Sequence, residues 1–236
     1  MNVTGYQEKP APRSAGLVCS WTAGLPTDTE PYLQRVVPDG CVDLIWSEAG
    51  ILVAGPDTGP VPALIRPGER MVAVRFAPGA APPVLGVPAD AVRDARLPLA
   101  DLWGGAADRL AETVAAAGSP RRQQAALVAA VTGRARAAEP VDPLVPAVVA
   151  GLARGSVRDV SAEIGIGERQ LRRRSLTAFG YGPKTLQRVL RFQRALGLAR
   201  AGTPLADAAY AAGYADQAHL AHEVRDLAGE PISGLL

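Results

Sequence analysis

Residues 156–183 read SVRDVSAEIGIGERQLRRRSLTAFGYGP, and the punctuation of this stretch places two helices and a turn. Ser156 followed three residues on by Asp159 is a capping-box start, in which each side chain serves the other's backbone N–H. Val157, Val160 and Ile164 fall at i, i+3 and i+7 and give this helix one buried stripe. Gly165-Ile166-Gly167 stops it, and a second helix is expected from Glu168 to about Phe179, with Leu171 and Phe179 available to a core. A short helix, a glycine-bearing turn and a second helix form the arrangement that lays its second member in the DNA major groove. On that member Arg169, Arg172 and Arg173 lie at i, i+3 and i+4 and share one face. Arginine suits both tasks required there, bidentate contact with guanine and charge contact with phosphate.

Downstream the arrangement repeats. Gly180 and Gly182-Pro183 close the second helix and open a long one, with Pro183 in its first turn, running to about Arg200. At about 1.5 Å per residue it spans about 27 Å, enough to hold two reading units about one DNA turn apart. Leu186, Val189, Leu190, Phe192 and Leu196 are its apolar positions, and Arg188, Arg191 and Arg194 are basic. Leu205–Ala212 then reads as a short helix after Thr203-Pro204. Gly213-Tyr214 is the turn, and Asp216–Ala228 is a second reading helix closed by Gly229. Upstream, Leu144–Leu152 reads as a leading helix.

Three segments in this order resemble the AraC-type transcription regulators: Val160 to Gly180; the join from Pro183-x-x-Leu186 through Arg191-Phe192-x-x-Ala195; and Gly213-Tyr214-Ala215-Asp216-Gln217-Ala218-His219-Leu220. The resemblance covers about Pro143 to Pro231. It implies that Arg169, Arg172 and Arg173 occupy the reading positions of the first unit, and Gln217, Ala218, His219 and His222 those of the second. Gln217 suits adenine, and Ala218 a thymine methyl. Ser175 and Val224 stand where that family usually has phenylalanine, which implies looser packing. Gly167 replaces a serine cap, which weakens the start of the first unit's reading helix, whereas His222 replaces an arginine and, with Ala218 and Val224, makes the second unit the weaker reader.

The charge distribution agrees. Residues 1–139 carry thirteen basic and fourteen acidic residues, whereas residues 140–236 carry twelve and nine. The overall net charge of +2 therefore hides a basic half. Between Arg169 and Arg200 lie nine basic residues and no acidic one, which points to a polyanionic partner. Arginine supplies 23 of the 25 basic residues, a compositional bias that weakens the argument from charge alone.

The first hundred residues read as β-rich. Short apolar runs at Leu17–Trp21, Tyr32–Val37, Cys41–Trp46, Ile51–Ala54, Ala63–Arg66 and Met71–Phe76 are separated by Pro-Asp-Gly, Gly-Pro-Asp, Arg-Pro-Gly and Pro-Gly turns. A small antiparallel sheet or barrel is expected. Val42, Leu44 and Trp46 share one face, as do Val72, Val74 and Phe76. Cys41, Asp43 and Ile45, and Met71, Ala73 and Arg75, take the opposite faces. From about Leu99 the period becomes helical, through Leu99–Trp103, Ala106–Ala117 and Pro120–Ala138. The fold class expected is α+β: a β-rich domain with linking helices over 1–139, then an all-α double helix-turn-helix domain over 140–236.

Pro38 to Trp46, Val74-Arg75-Phe76-x-Pro78-Gly79, and Leu99-x-Asp101-Leu102-Trp103-Gly104 resemble the uncharacterised N-terminal domain carried by a subset of AraC-type regulators, especially in actinobacteria. In the wider family such domains bind a small effector, dimerise, or both. From the residues, Asp43 and Arg75 are candidates to orient a polar effector, with Trp21 and Trp46 as an apolar wall; a surface ion pair and two core tryptophans are the equally open alternative. Cys41 as a redox or alkylation sensor has no adjacent cationic run to lower its pKa.

Neither a glycine-rich phosphate loop, Gly-x-Ser-x-Gly nor His-Glu-x-x-His is present, and the two histidines lie in the helical half. No catalytic residue and no cofactor is expected. His219 and His222 are spaced at i and i+3, but without a cysteine or a paired carboxylate to complete a ligand set, no metal is expected either. Without an apolar signal stretch or a membrane-length apolar run, a cytoplasmic activator or repressor is the expectation. Its expected partners are double-stranded DNA, RNA polymerase, a small-molecule effector and a second copy of the chain. The alternative is a small-molecule binding protein whose helical half is an interaction module with only non-specific DNA affinity.

Overall fold

The computed structural model describes residues 5–236. Eight strands occur among the described residues: β1 (Gln7–Pro10), β2 (Leu17–Gly24), β3 (Tyr32–Val36), β4 (Val42–Ser47), β5 (Gly50–Ala54), β6 (Val61–Ile65), β7 (Arg70–Phe76) and β8 (Arg96–Pro98). Six of them form an open antiparallel sheet in the order β1-β2-β7-β4-β5-β8, and β3 pairs with β6 in a separate two-stranded ribbon. The sheet does not close, so of the two architectures expected it is the sheet and not the barrel.

One face of this sheet is the main core. Val42, Leu44, Trp46, Val72, Val74 and Phe76 lie on it, as their period-2 spacing requires. It is covered by helices α1 (Pro82–Leu85), α2 (Ala100–Trp103), α3 (Gly105–Ala116) and α4 (Pro120–Ala137), which supply Leu85, Leu110, Val114, Leu127 and Val131. Trp46 donates its indole N–H to Ala111 O at 3.1 Å. Arg134 of α4 lies 4.1 Å over the Trp103 ring and donates to Val84 O at 2.9 Å. On the opposite face Cys19, Trp21, Ala23 and Ala73 make a second, smaller cluster with Tyr6, Ile45 and Met71. A β-bulge between Leu17 and Cys19 explains how one strand serves both: Leu17 enters the main core, while Cys19 and Trp21 are turned to the other side.

The helical half comprises α5 (Val145–Leu152), α6 (Val157–Glu163), α7 (Glu168–Phe179), α8 (Pro183–Arg200), α9 (Leu205–Ala211) and α10 (Gln217–Ala228). Ser156 accepts from the backbone N–H of Asp159 at 3.2 Å, and Asp159 accepts from that of Ser156 at 3.1 Å, completing the capping box. The Ser156 hydroxyl first, and then its backbone N–H, donate to the Asp159 carboxylate and hold it below its ordinary value. Asp216 caps α10 by accepting from His219 N–H at 2.7 Å, whereas Gly167 starts α7 without a side-chain cap. The eighteen-residue α8 divides its apolar side between two cores. Leu186 and Val189 pack with Val148, Leu152, Val160, Leu171 and Phe179, and Phe192 and Leu196 pack with Tyr214, Leu220, Val224 and Leu227. Each helix-turn-helix unit thus has its own core, and one rigid rod passes through both. No described helix is long and apolar enough to cross a membrane.

Ser175 sits in the first of these cores, 1% exposed, and its hydroxyl has no hydrogen-bond partner among the described residues. Beside it, next to Leu171 and Phe179, is a void of about 10 Å³. A buried hydroxyl without a partner costs stability that an apolar group does not. Ser175→Ala is therefore expected to raise the unfolding free energy by about 1 kcal/mol in urea titrations. A loss of stability of similar size would show that the hydroxyl does bond in the folded chain.

Candidate nucleic-acid interface

Helix α7 is the second member of the first unit and α10 the second member of the second. Arg169, Arg172 and Arg173 are exposed on α7, and Gln217, Ala218, His219 and His222 are exposed on α10. The side chains are not equally available. His219 turns back on its own unit: its ring stands edge-on to Tyr214 at 5.2 Å, and Nδ1 accepts from Ala215 N–H at 3.5 Å. His222 Nδ1 lies 3.5 Å from Asp226. Gln217 and Ala218 carry no such side-chain contact.

The basic run of α7 and α8 divides the same way. Arg174 pairs with Asp142 at 3.0 Å. Lys184 donates to Gln187 at 3.1 Å. Arg188 makes a bidentate pair with Glu223 at 2.8 and 3.1 Å and reaches Asp226 at 3.4 Å. Arg191 lies 4.3 Å over the Tyr214 ring and donates to the carbonyls of Ala212 and Gly213. Arg200 caps the chain end by donating to Leu235 O at 3.0 and 3.1 Å. Five of the nine basic residues are thus engaged within the chain, and of these Arg188 and Arg191 tie α8 to the second unit. The guanidinium groups of Arg169, Arg172 and Arg173, with that of Arg194, are the ones left without a polar partner among the described residues.

Two further arginines that sequence reasoning did not single out bear on the site. Arg93 donates to Gly180 O at 2.9 Å, at the C-terminal end of α7. Arg35 donates to Ala228 O at 3.2 Å, at the C-terminal end of α10, and pairs with Glu230 at 3.1 Å. Each puts a cation from the N-terminal half at the negative end of the second helix of a unit. Around them the two halves meet closely. Gly180, at φ +82°, leaves no room for a side chain, because a Cβ would lie 2.7 Å from Pro56 Cγ. A Cβ on Gly79 (φ +82°) would lie 2.7 Å from both Phe179 and Val145.

The structure brings Trp21, Asp43 and Arg75 together and separates Trp46 from them. Trp46 lies in the main core on the opposite face of the sheet, so the paired tryptophan wall does not form. Arg75 grips Asp43 with two hydrogen bonds of 2.9 Å, and the Trp21 indole donates to the same carboxylate at 3.2 Å. The pair is not on the surface, for Asp43 is only 8% exposed. Burial pushes the Asp43 carboxyl up against the pull of Arg75, and Asp43 in turn holds the Arg75 guanidinium charged. Asp39 and Glu8 lie 3.5 and 3.8 Å from Arg75. Every strong hydrogen-bonding group of this cluster is already engaged from within the chain.

The thiols beside it are held protonated. Burial, then the Glu8 charge, pushes Cys19 up to about 12, and burial, then Asp39, raises Cys41. At pH 8 roughly one Cys19 in ten thousand is then thiolate. Native chain is expected to resist iodoacetamide at that pH under conditions that alkylate both cysteines of unfolded chain. Rapid modification of native Cys41 would contradict this.

A helix-turn-helix domain family model matches residues 160–236. Over that third of the chain it is similar to helix-turn-helix domains of the AraC type. Such a domain belongs to DNA-binding transcription regulators. Residues 9–98 match a domain of unknown function (DUF6597). Among solved structures, ToxT from Vibrio cholerae O395 is 12% identical with a TM-score of 0.47, over 98% of this chain and 96% of that one. Unsaturated fatty acid-bound wild-type ToxT from Vibrio cholerae strain SCE256 is 11% identical with a TM-score of 0.45, over 100% and 96%. No curated protein sequence matches the chain.

Proposed function

We propose that this protein is a cytoplasmic, sequence-specific regulator of transcription that reads duplex DNA through α7 and α10 and answers to a small-molecule effector acting on its N-terminal domain. The observation that carries the reading is the contrast within one basic run. Arg174, Arg188, Arg191 and Arg200 are bound within the protein, while Arg169, Arg172 and Arg173 stand together on the exposed side of α7 with no internal partner. Like charges gathered without counter-charge repel, and a phosphate-lined groove relieves that repulsion. Base-edge contacts by the same arginines then supply sequence preference.

In this reading α8 fixes the separation of the two units, and Gln217 and Ala218 make the base contacts of the second. His219 and His222, engaged with Tyr214 and Asp226, contribute less, so the first unit dominates affinity. RNA polymerase and a second copy of the chain are the further partners of the proposal. Hydroxyl-radical footprinting on a selected site is expected to show two protected patches on one face of the duplex, about 10 base pairs apart. A single patch, or protection that does not depend on sequence, would contradict the two-unit reading.

A further inference from the structure

Between the N-terminal half and the starts of α7 and α8 lies a cleft of about 590 Å³, a volume in the range of small-molecule sites. Its cationic wall is Arg169 and Arg172 from α7, Lys184 from α8, and Arg93 from the N-terminal half. The first turn of α8 faces the same space through Gly182, Pro183 and Lys184. A long helix carries partial positive charge at its start, where an acidic residue or a bound anion is favoured. Helix α8 has no acidic residue in its first turn. What lies there instead is more positive charge: an Arg172 guanidinium nitrogen is 3.4 Å from where a Cβ on Gly182 would sit.

This charge is only partly neutralised from within. Arg169, Arg172 and Lys184 have no carboxylate at ion-pair distance among the described residues. Of the two acidic residues on the wall, Glu168 makes no such pair. Asp94 is held by the backbone N–H and hydroxyl of Thr58 at 2.7 and 2.9 Å, with Arg93 at 3.7 Å. Four cations and a helix start therefore face two carboxylates, an excess that calls for about two negative charges from outside. A DNA backbone is the poorer occupant, because Thr58, Arg93 and Asp94 wall the cleft on one side and Asp94 places a negative charge inside it. That carboxylate suits instead a ligand that also carries a hydroxyl donor.

We propose that this cleft binds a small, hydroxylated organic dianion of phosphate or carboxylate chemistry, and that its binding weakens DNA binding. The second half rests on the proposal above that Arg169 and Arg172 read DNA, since a ligand that holds them withdraws them from the groove. By linkage, ligand and DNA then lower each other's affinity by the same factor.

The test uses the full chain with malate, glucose 6-phosphate and inorganic phosphate as probes, titrated calorimetrically at matched ionic strength against sodium chloride and glucose. At least one hydroxylated dianion is expected to saturate a single site per chain, and malate against the sugar phosphate tells carboxylate from phosphate recognition. Lys184→Gln is expected to weaken that binding by about tenfold, the usual loss for one charge-assisted hydrogen bond. Arg93→Gln serves as a second variant, and circular dichroism verifies that both are folded. Saturable binding that also lowers specific DNA affinity supports the whole proposal. Binding unaffected by either variant, or no binding beyond chloride, overturns the site while leaving the DNA reading intact. Ligand binding with unchanged DNA affinity overturns the coupling. Loss of DNA affinity in Lys184→Gln without any anion binding assigns the cleft to a DNA phosphate instead.

Discussion

Replacing Asp43 with alanine is expected to destabilise the N-terminal domain by about 3 kcal/mol, the lower end of the cost of stripping one partner from a buried ion pair. The carboxylate sits between β-strand neighbours: Arg75 on β7 lies directly across the ladder from Asp43 on β4. It accepts both Arg75 bonds and the Trp21 indole N–H. Alanine leaves the guanidinium half-buried with only Asp39 and Glu8, at 3.5 and 3.8 Å, to offset its charge. Those two acids hold the cost at the low end. The double variant Asp43→Leu with Arg75→Met removes both charges and is expected to recover most of the loss, because two apolar side chains do not carry the desolvation cost of two ions. Urea unfolding followed by tryptophan fluorescence measures both, with Trp21 in direct contact with the altered site. A single-variant loss below about 1 kcal/mol, the range of exposed pairs, would mean that water screens the pair and that Asp43 and Arg75 are open to an effector after all.

Arg172→Ala and Arg173→Ala are each expected to weaken binding to a selected DNA site by about 1–3 kcal/mol, the value of a good base-edge contact. Both residues stand exposed on α7 without an internal partner, so the folded chain loses no ion pair on mutation and stability is expected to stay within about 0.5 kcal/mol. The discriminating quantity is the pattern across sequences. A base-reading arginine relaxes preference at one base pair, whereas a phosphate contact weakens all sequences alike and lowers the salt slope by about one. Arg174→Ala is the internal contrast. Its guanidinium is spent on Asp142, so its loss is expected to lower stability more than specificity.

The helical half was legible almost residue by residue because its signals are local. Ser156 and Asp159 cap over three residues, Gly180 and Gly229 close α7 and α10 in the left-handed conformation, and the 3.6 period is long enough to be read. The strands were legible in order but not in their edges. Gln7–Pro10 and Arg96–Pro98 are short, polar or proline-ended edge strands without an alternating apolar pattern. Pro82–Leu85 opens with two prolines, which read as a turn. The effector cluster was half legible: spacing put Asp43 and Arg75 on one face, but only the bulge after Leu17 brings Trp21 to them. Trp46, on the Leu44 parity, belonged to the core all along. Arg35 and Arg93 could not be found from sequence at all, because their partners lie 193 and 87 residues away and no local pattern announces such a pairing.

The central claim is that the unpaired arginines of α7, helped by α10, read the sequence of duplex DNA. Its most direct measurement is the affinity of the full chain for the DNA upstream of its own gene and for a scrambled duplex of equal composition, each across a salt series. Both affinities are expected to fall with salt, with the native sequence bound roughly a thousandfold or more tightly throughout. Equal affinity for the two duplexes at every salt concentration would contradict the account and leave the helical half an interaction module with non-specific attraction to DNA.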